Sequence, residues 1–305
     1  MQRVREIAAA PGYLATVERA SSFLLSVRSA PDTGQSGLRC QFQLLFALWL
    51  SGRAGVRCHK QVQSAAAAVS ASVTRASKEA TFDPYKYDPK LLLLCYRAMR
   101  DYGVECAPLK DFARELAAAF LRMPAVPRQL AVEAYLSEAL ANCENQGGCK
   151  ESESVSRAAI ELPCFDERLL LADRTTIESV TREVSIASLF GSRVASGELT
   201  TQLSAVLQVI LLQKLQDYDL MLGAALLRAI KCLGLGGCEE ARYAIAFLLS
   251  QQHMDGRFGY YARELREVPL ENPDLDLYLP VTVSVLWAVV EMTVPGFCLL
   301  GRRSE

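Results

Sequence analysis

The chain has 305 residues, 51% of them hydrophobic and 22% charged, with a formal net charge of −1. That balance suits one large helical domain or two ordinary ones, and it excludes wholesale disorder. It supplies no basic field to hold a phosphate backbone, so nucleic acid is not an expected partner.

Read from its start, Met1–Ala10 is a charged, alanine-rich helix start with none of the marks of a secretory leader. The ten cysteines are scattered along the chain. Reduced thiols in a cytoplasmic protein, each acting as a small buried hydrophobe, are therefore expected. Apolar residues then recur at spacings of three and four, the period of a helix. Clusters of Pro, Gly, Asn, Asp and Ser break the pattern at Ala30–Gly37, Thr81–Pro89, Met123–Pro127, Asn145–Glu153, Leu162–Asp166, Gly191–Glu198, Gly234–Gly237 and His253–Pro273. Strand-like alternation is rare, and the β-branched stretch Val281–Val290 is the main ambiguous one. The fold class that follows is all-α, a single helical-repeat domain over 1–305. The polar run Glu151–Pro163 is its one candidate divide, between residues 1–150 and 163–305.

Leu279–Gly301 is apolar enough to suggest a membrane span, but Pro280, Glu291 and Pro295 interrupt it. A carboxylate at the centre of a bilayer costs ~2.5–3 kcal/mol or more. A buried helix whose Glu291 faces a partner or a cavity is the better reading, so no membrane span is expected.

The most informative feature is a repeat. Asp-x-x-Leu-x-Leu begins at Asp88, Asp166, Asp217 and Asp274, at intervals of 78, 51 and 57 residues. A helix-forming run follows each one, and Asp suits the orphan amides and dipole of a helix start. The repeat predicts four capped helix starts. Two further echoes support repeated units. Arg97-Ala-Met leads through Gly103 to Cys106 as Arg228-Ala-Ile leads through Gly234 to Cys238, and Ala20–Ser26 parallels Ala244–Ser250. Units of ~40–50 residues, each a helical hairpin, would fill the length with five or six copies.

Phe247–Gly259 reads Phe-Leu-Leu-Ser-Gln-Gln-His-Met-Asp-Gly-Arg-Phe-Gly, and a Thr-containing apolar run, Val281–Ala288, follows about twenty residues later. This resembles the hairpin turn of α/α-toroid proteins, the group that holds terpenoid cyclases and the β-subunits of protein prenyltransferases. The resemblance implies repeated helical hairpins forming a partial or complete α/α toroid. Independently of any family, Asp255-Gly256 can reverse the chain, and Gln251 or Gln252 can satisfy open backbone groups at helix ends.

Candidate chemistry is sparse. Cyclases of the resembled group protonate an alkene with an Asp-rich motif, and Asp276 of Asp274-Leu-Asp276 is the one candidate acid, although Leu277 stands where the fuller motif has another Asp. An Asp-Asp-x-x-Asp magnesium cluster is absent from the sequence. Zinc of the prenyltransferase kind needs Asp, Cys and His, whereas Cys58 and His59 are adjacent and His253 sits in the turn. A thiol cluster of Cys143, Cys149, Cys232 and Cys238 has an unusual spacing for zinc, so neither metal nor cofactor is expected. The richest ground is the long connection before Asp274 with the helix after it. His253, Asp255, Tyr260, Tyr261, Tyr278, Thr282, Trp287 and Glu291 form a candidate binding set, with Arg257, Arg263, Glu264, Arg266 and Glu271 nearby. The expected function is binding of an apolar small molecule or a peptide in a central cavity, with a tailoring role in natural-product biosynthesis as its expected setting. A cyclase-like lyase or isomerase using Asp276 and a protein-binding scaffold stand as the alternatives.

Overall fold

Helix boundaries in this chain are set by side chains and backbone turns that satisfy open peptide groups. The computed structural model describes residues 12–27, 35–122, 167–188, 190–191, 194, 200–259, 273–294 and 297. Among these residues the regular elements are helical, and Gln252 and Phe258 form an isolated antiparallel bridge. In chain order they are α1 (Tyr13–Ser26), α2 (Gln35–Arg53), α3 (His59–Lys78), α4 (Pro89–Asp101), α5 (Ala107–Arg122), α6 (Arg174–Ala187), α7 (Thr200–Gln216), α8 (Leu220–Cys232), α9 (Glu239–Ser250) and α10 (Leu279–Thr293). Short 3-10 turns lie at Pro84–Lys86 and Glu167–Leu171, and a π-turn at Asp274–Tyr278 leads into α10.

The four repeated aspartates do different things. Asp88 caps α4, accepting the Lys90 N–H at 3.0 Å, with Pro89 in the first helical position. Asp217 does not cap α8, which corrects the expectation from the repeat. Tyr218 takes φ of 62° to close the end of α7, so the first residue free to cap is Asp219, through the Leu222 N–H at 3.1 Å. Asp217 pairs with Lys214 at 3.1 Å instead. Asp274 lies within the π-turn and pairs with Arg257, so it too is no cap. Asp166 falls outside the described residues; α6 begins behind Asp173, which accepts the Thr176 N–H at 2.7 Å.

The two echoes have a structural basis. Gly103 and Gly234 end α4 and α8 in the left-handed region, with φ of 69° and 81°. The next amide in each case bonds back five residues, Val104 to the Met99 carbonyl and Leu235 to the Ile230 carbonyl. Cys106 directly precedes α5, and Cys238 caps α9 through the Ala241 N–H at 3.4 Å. Ser26 and Ser250 end α1 and α9 alike, each hydroxyl donating at 2.7 Å to the carbonyl of Phe23 or Phe247.

The chain forms two compact units. The first comprises Met1–Ser26, Arg53–Val56 and Ile160–Glu305, and the second Val27–Gly52 and Arg57–Ala159. The change between Ala159 and Ile160 lies in the polar run, while α1 packs with the C-terminal residues. In the second unit α4 packs on α3 and α5. It meets α2 through Cys95, whose thiol donates to the Phe42 carbonyl at 3.2 Å, and through Asp101, which accepts the Trp49 indole N–H at 2.9 Å. In the first unit α8 is the central helix, touching α6, α7, α9 and α10; α9 also touches α7 and α10, and α1 packs on α10. Its apolar surface is nearly continuous, as a helix enclosed on all sides requires. Asp274–Thr293 is the one described helix long and apolar enough to cross a bilayer, and most of it is buried inside the fold.

Candidate functional site

α9 ends at Ser250, and the reversal after it is built from its own hydrogen bonds. The Gly256 N–H donates to the His253 carbonyl at 3.0 Å, the His253 N–H donates to the Arg257 carbonyl at 2.9 Å, and Asp255 accepts the Arg257 N–H at 3.2 Å. Gly256 has φ of 97°, and a Cβ there would stand 1.9 Å from the Arg19 carbonyl oxygen of α1. Only glycine fits, on both counts. Gln252 is the glutamine that serves this turn, donating to the carbonyls of Thr16 at 2.8 Å and Gly256 at 3.1 Å. Gln251 instead accepts the Tyr218 hydroxyl. Phe258 is fully buried, and its N–H donates to the hydroxyl of buried Thr282 at 3.0 Å.

Facing this turn is the start of the last helix. Pro280 has no N–H to continue an α-ladder, and the Leu279 N–H bonds five residues back to the Asp274 carbonyl. The widened turn presents Tyr278, which is buried, to Arg257 and His253. The Arg257 guanidinium lies 4.3 Å from the centre of the Tyr278 ring. The His253 ring meets the same tyrosine edge-on at 5.9 Å, and its Nε2 hydrogen-bonds the Gly259 carbonyl at 3.0 Å, so that nitrogen carries the proton. Two carboxylates hold Arg257, Asp255 at 3.0 Å and Asp274 at 3.1 Å. Tyr278 forms the floor of this corner, while His253 and Arg257 are half-buried and Asp255 is open to water.

Lower on α10 lies a second cluster. Glu291 is buried and pairs with Arg228 of α8, whose guanidinium stacks 3.3 Å from the centre of the Trp287 ring. Lys231 donates to the Glu291 backbone carbonyl near the C-terminal end of α10, where helix carbonyls lack internal partners. Burial pushes the neighbouring Cys232 thiol up to about 11; the Glu291 carboxylate adds to the rise, and Ser188, Arg228 and Lys231 oppose it.

The expected binding set thus divides. His253, Asp255, Tyr278 and Thr282 gather at the turn, and Trp287 and Glu291 belong to the interior cluster with Arg228. Tyr260, Tyr261, Arg263, Glu264, Arg266 and Glu271 lie outside the described residues, as do Cys143 and Cys149. Asp276 is exposed. An acid that protonates an alkene needs a carboxyl shielded from water, and the position of Asp276 lends that role no support. Cys58 and His59 serve packing: the thiol donates to the Leu48 carbonyl at 3.5 Å and the imidazole lies 4.8 Å from the Tyr102 ring. Among the described residues no three His, Cys, Asp or Glu side chains gather as a metal would need. Two arginines organise both clusters, and neither stood out in the binding set. Arg228 carried a readable signal, a cation inside the apolar run Leu220–Ile230 that calls for a buried counter-charge.

Comparison with family models, with characterised proteins and with solved structures finds no match to this chain. The turn places the Arg257 guanidinium and the His253 imidazole, both half-buried, against the buried Tyr278 ring at the edge of an apolar core.

Proposed function

We propose that this chain is a binding protein whose ligand, a small apolar molecule or an apolar peptide segment, seats at the His253–Arg257–Tyr278 corner. The observation that carries the reading is Arg257 poised over Tyr278 with His253 on the ring edge, half-open to solvent at the mouth of a widened helical turn. Such a turn is a frequent mark of functional sites. Thr282 and Phe258 fasten the corner from beneath, so it is rigid before a ligand arrives. The toroid-like arrangement belongs to the same proposal. Along the chain α6, α8 and α10 alternate with α7 and α9, and α8 touches both α6 and α10 while α7 touches α9. Those neighbours are what one inner and one outer layer of helical hairpins produce. Free thiols at Cys40, Cys58, Cys95, Cys106, Cys232 and Cys238 support a reducing, cytoplasmic setting.

The test uses 8-anilinonaphthalene-1-sulfonate as an apolar probe. The wild type binds it saturably; His253→Ala and Arg257→Ala weaken binding by between about 2-fold and 30-fold, the range of a cation–aromatic contact. Tyr278→Phe, which keeps the ring, binds as the wild type does. Unchanged affinity in both alanine variants refutes the corner as a site.

A further inference from the structure

α7 buries Leu203, Leu207, Ile210, Leu211 and Leu215 and packs on α8, α9 and the Glu167–Leu171 turn. Its other side is open to water. Gln202, Ala205, Val209, Gln213 and Gln216 are exposed there, Val209 to 55%, and Leu212 is half-buried. That open side carries no charge. The exposed sides of other helices do carry charge: Glu18 on α1, Arg75 on α3, Glu115 on α5, Arg182 on α6 and Arg242 on α9. The one ion of α7, Lys214, is half-buried and pairs with Asp217 at 3.1 Å. Loss of charge at the centre of an apolar patch is what separates a protein interface from ordinary surface. The spacing is informative too. Gln202, Ala205, Val209, Leu212 and Gln216 recur at three and four residues, the seam of paired helices.

We infer that the open side of α7 pairs with the same side of a second copy of this chain, antiparallel about a twofold axis at Val209. The seam fits itself in that register. Gln202 and Gln216 each stand seven residues from Val209, so the twofold sets one amide against the other at both ends. The small Ala205 then faces the large Leu212, and Val209 meets its own copy. No like charges oppose one another across the axis, as they would on a charged helix side. A helix of 17 residues is about 25 Å long, which places the interface at the low end of the size range and makes the dimer reversible. The inference does not depend on the His253–Arg257–Tyr278 corner being a site.

The experiment is analytical ultracentrifugation of the full chain over a concentration series, in reducing buffer so that no thiol links the copies. The wild type should pass from the chain mass to twice that mass, with a Kd of about 1–100 μM. Val209→Glu and Val209→Lys each set like charges against each other across the axis and should weaken the dimer at least about tenfold. An equimolar mixture of the two variants sets opposite charges there and should return to within about threefold of the wild-type Kd. Because Val209 is exposed, both variants should melt as the wild type does in dilute solution. Leu25→Glu, on the exposed side of α1, should leave the dimer unchanged. A wild type that stays at the chain mass to about 500 μM, well above that Kd range, overturns the inference and leaves the face to another protein. So does a Val209→Glu variant that dimerises like the wild type. A mixture no tighter than either variant alone overturns the twofold at Val209.

Discussion

Replacing Glu291 by alanine would leave Arg228 without its counter-charge in the core of the first unit. The two side chains are 7% and 11% exposed, so water restores little of what the carboxylate supplies. Breaking one side of such a pair costs about 3–5 kcal/mol, because the remaining ion is buried and uncompensated. Stacking on Trp287 does not rescue it, since that contact exists before and after the change. For a unit of this size the loss corresponds to a fall of ~6–20 °C in Tm. Urea unfolding followed by far-ultraviolet circular dichroism measures it, with an unchanged slope showing that the same surface unfolds. The double change Arg228→Met with Glu291→Met removes both charges and keeps the volume, and should return to within about 2 kcal/mol of the wild type. A loss below about 1 kcal/mol in Glu291→Ala, the size of an exposed pair, would refute a desolvated interior bridge.

Asp219→Ala should cost about 1 kcal/mol as a lost cap, and more through its pairing with Arg174, while Asp217→Ala in the same repeat should cost little; chemical denaturation of the two variants decides between the residues. Stability should fall at alkaline pH. The Cys232 thiol is raised from 9.0 to about 11 in the folded protein, so its contribution is whole below pH 9 and is lost as pH climbs from there through about 11. The loss reaches about 3 kcal/mol at that end, and Cys95, pushed well up by complete burial, acts in the same direction. A pH series of denaturation midpoints reads this, with Cys232→Ala flattening the decline; equal slopes in both proteins would refute the assignment.

The helical class was legible because apolar spacing follows from the geometry of the helix itself. The echoes were legible for the same reason, since a glycine after α4 or α8 and a serine ending α1 or α9 act on backbone within a few residues. The aspartate repeat misled at Asp217 because one residue, Tyr218, adopted a left-handed conformation that pattern matching does not reveal, and the cap moved two places. Asp274 misled for a different reason: its partner, Arg257, lies 17 residues away across a reversal. The candidate site was legible where it is local, at His253 and Asp255. Tyr278 and Thr282 were chosen from a helix face, yet what they do depends on Arg257 and the Phe258 amide. The separation of Trp287 and Glu291 into another cluster depends on Arg228, 63 residues from Glu291, and long-range pairing of that kind leaves no periodic trace.

The clasp between Thr16 and Gln252 spans 236 residues of sequence, which has a consequence during synthesis. At ~5–20 residues per second, roughly 12–50 s pass between translation of the two ends of that contact. Through this interval α1 is made but has no seat, while the intervening second unit can already collapse. The buried face of α1, with Phe23 and Leu24, stays open to chaperones or to nascent chains on the same messenger until the Asp255-Gly256 reversal and α10 have emerged. Maturation of the first unit is therefore timed by its C-terminal elements, and slow codons between Ile160 and Thr293 would lengthen the exposure of a helix translated long before.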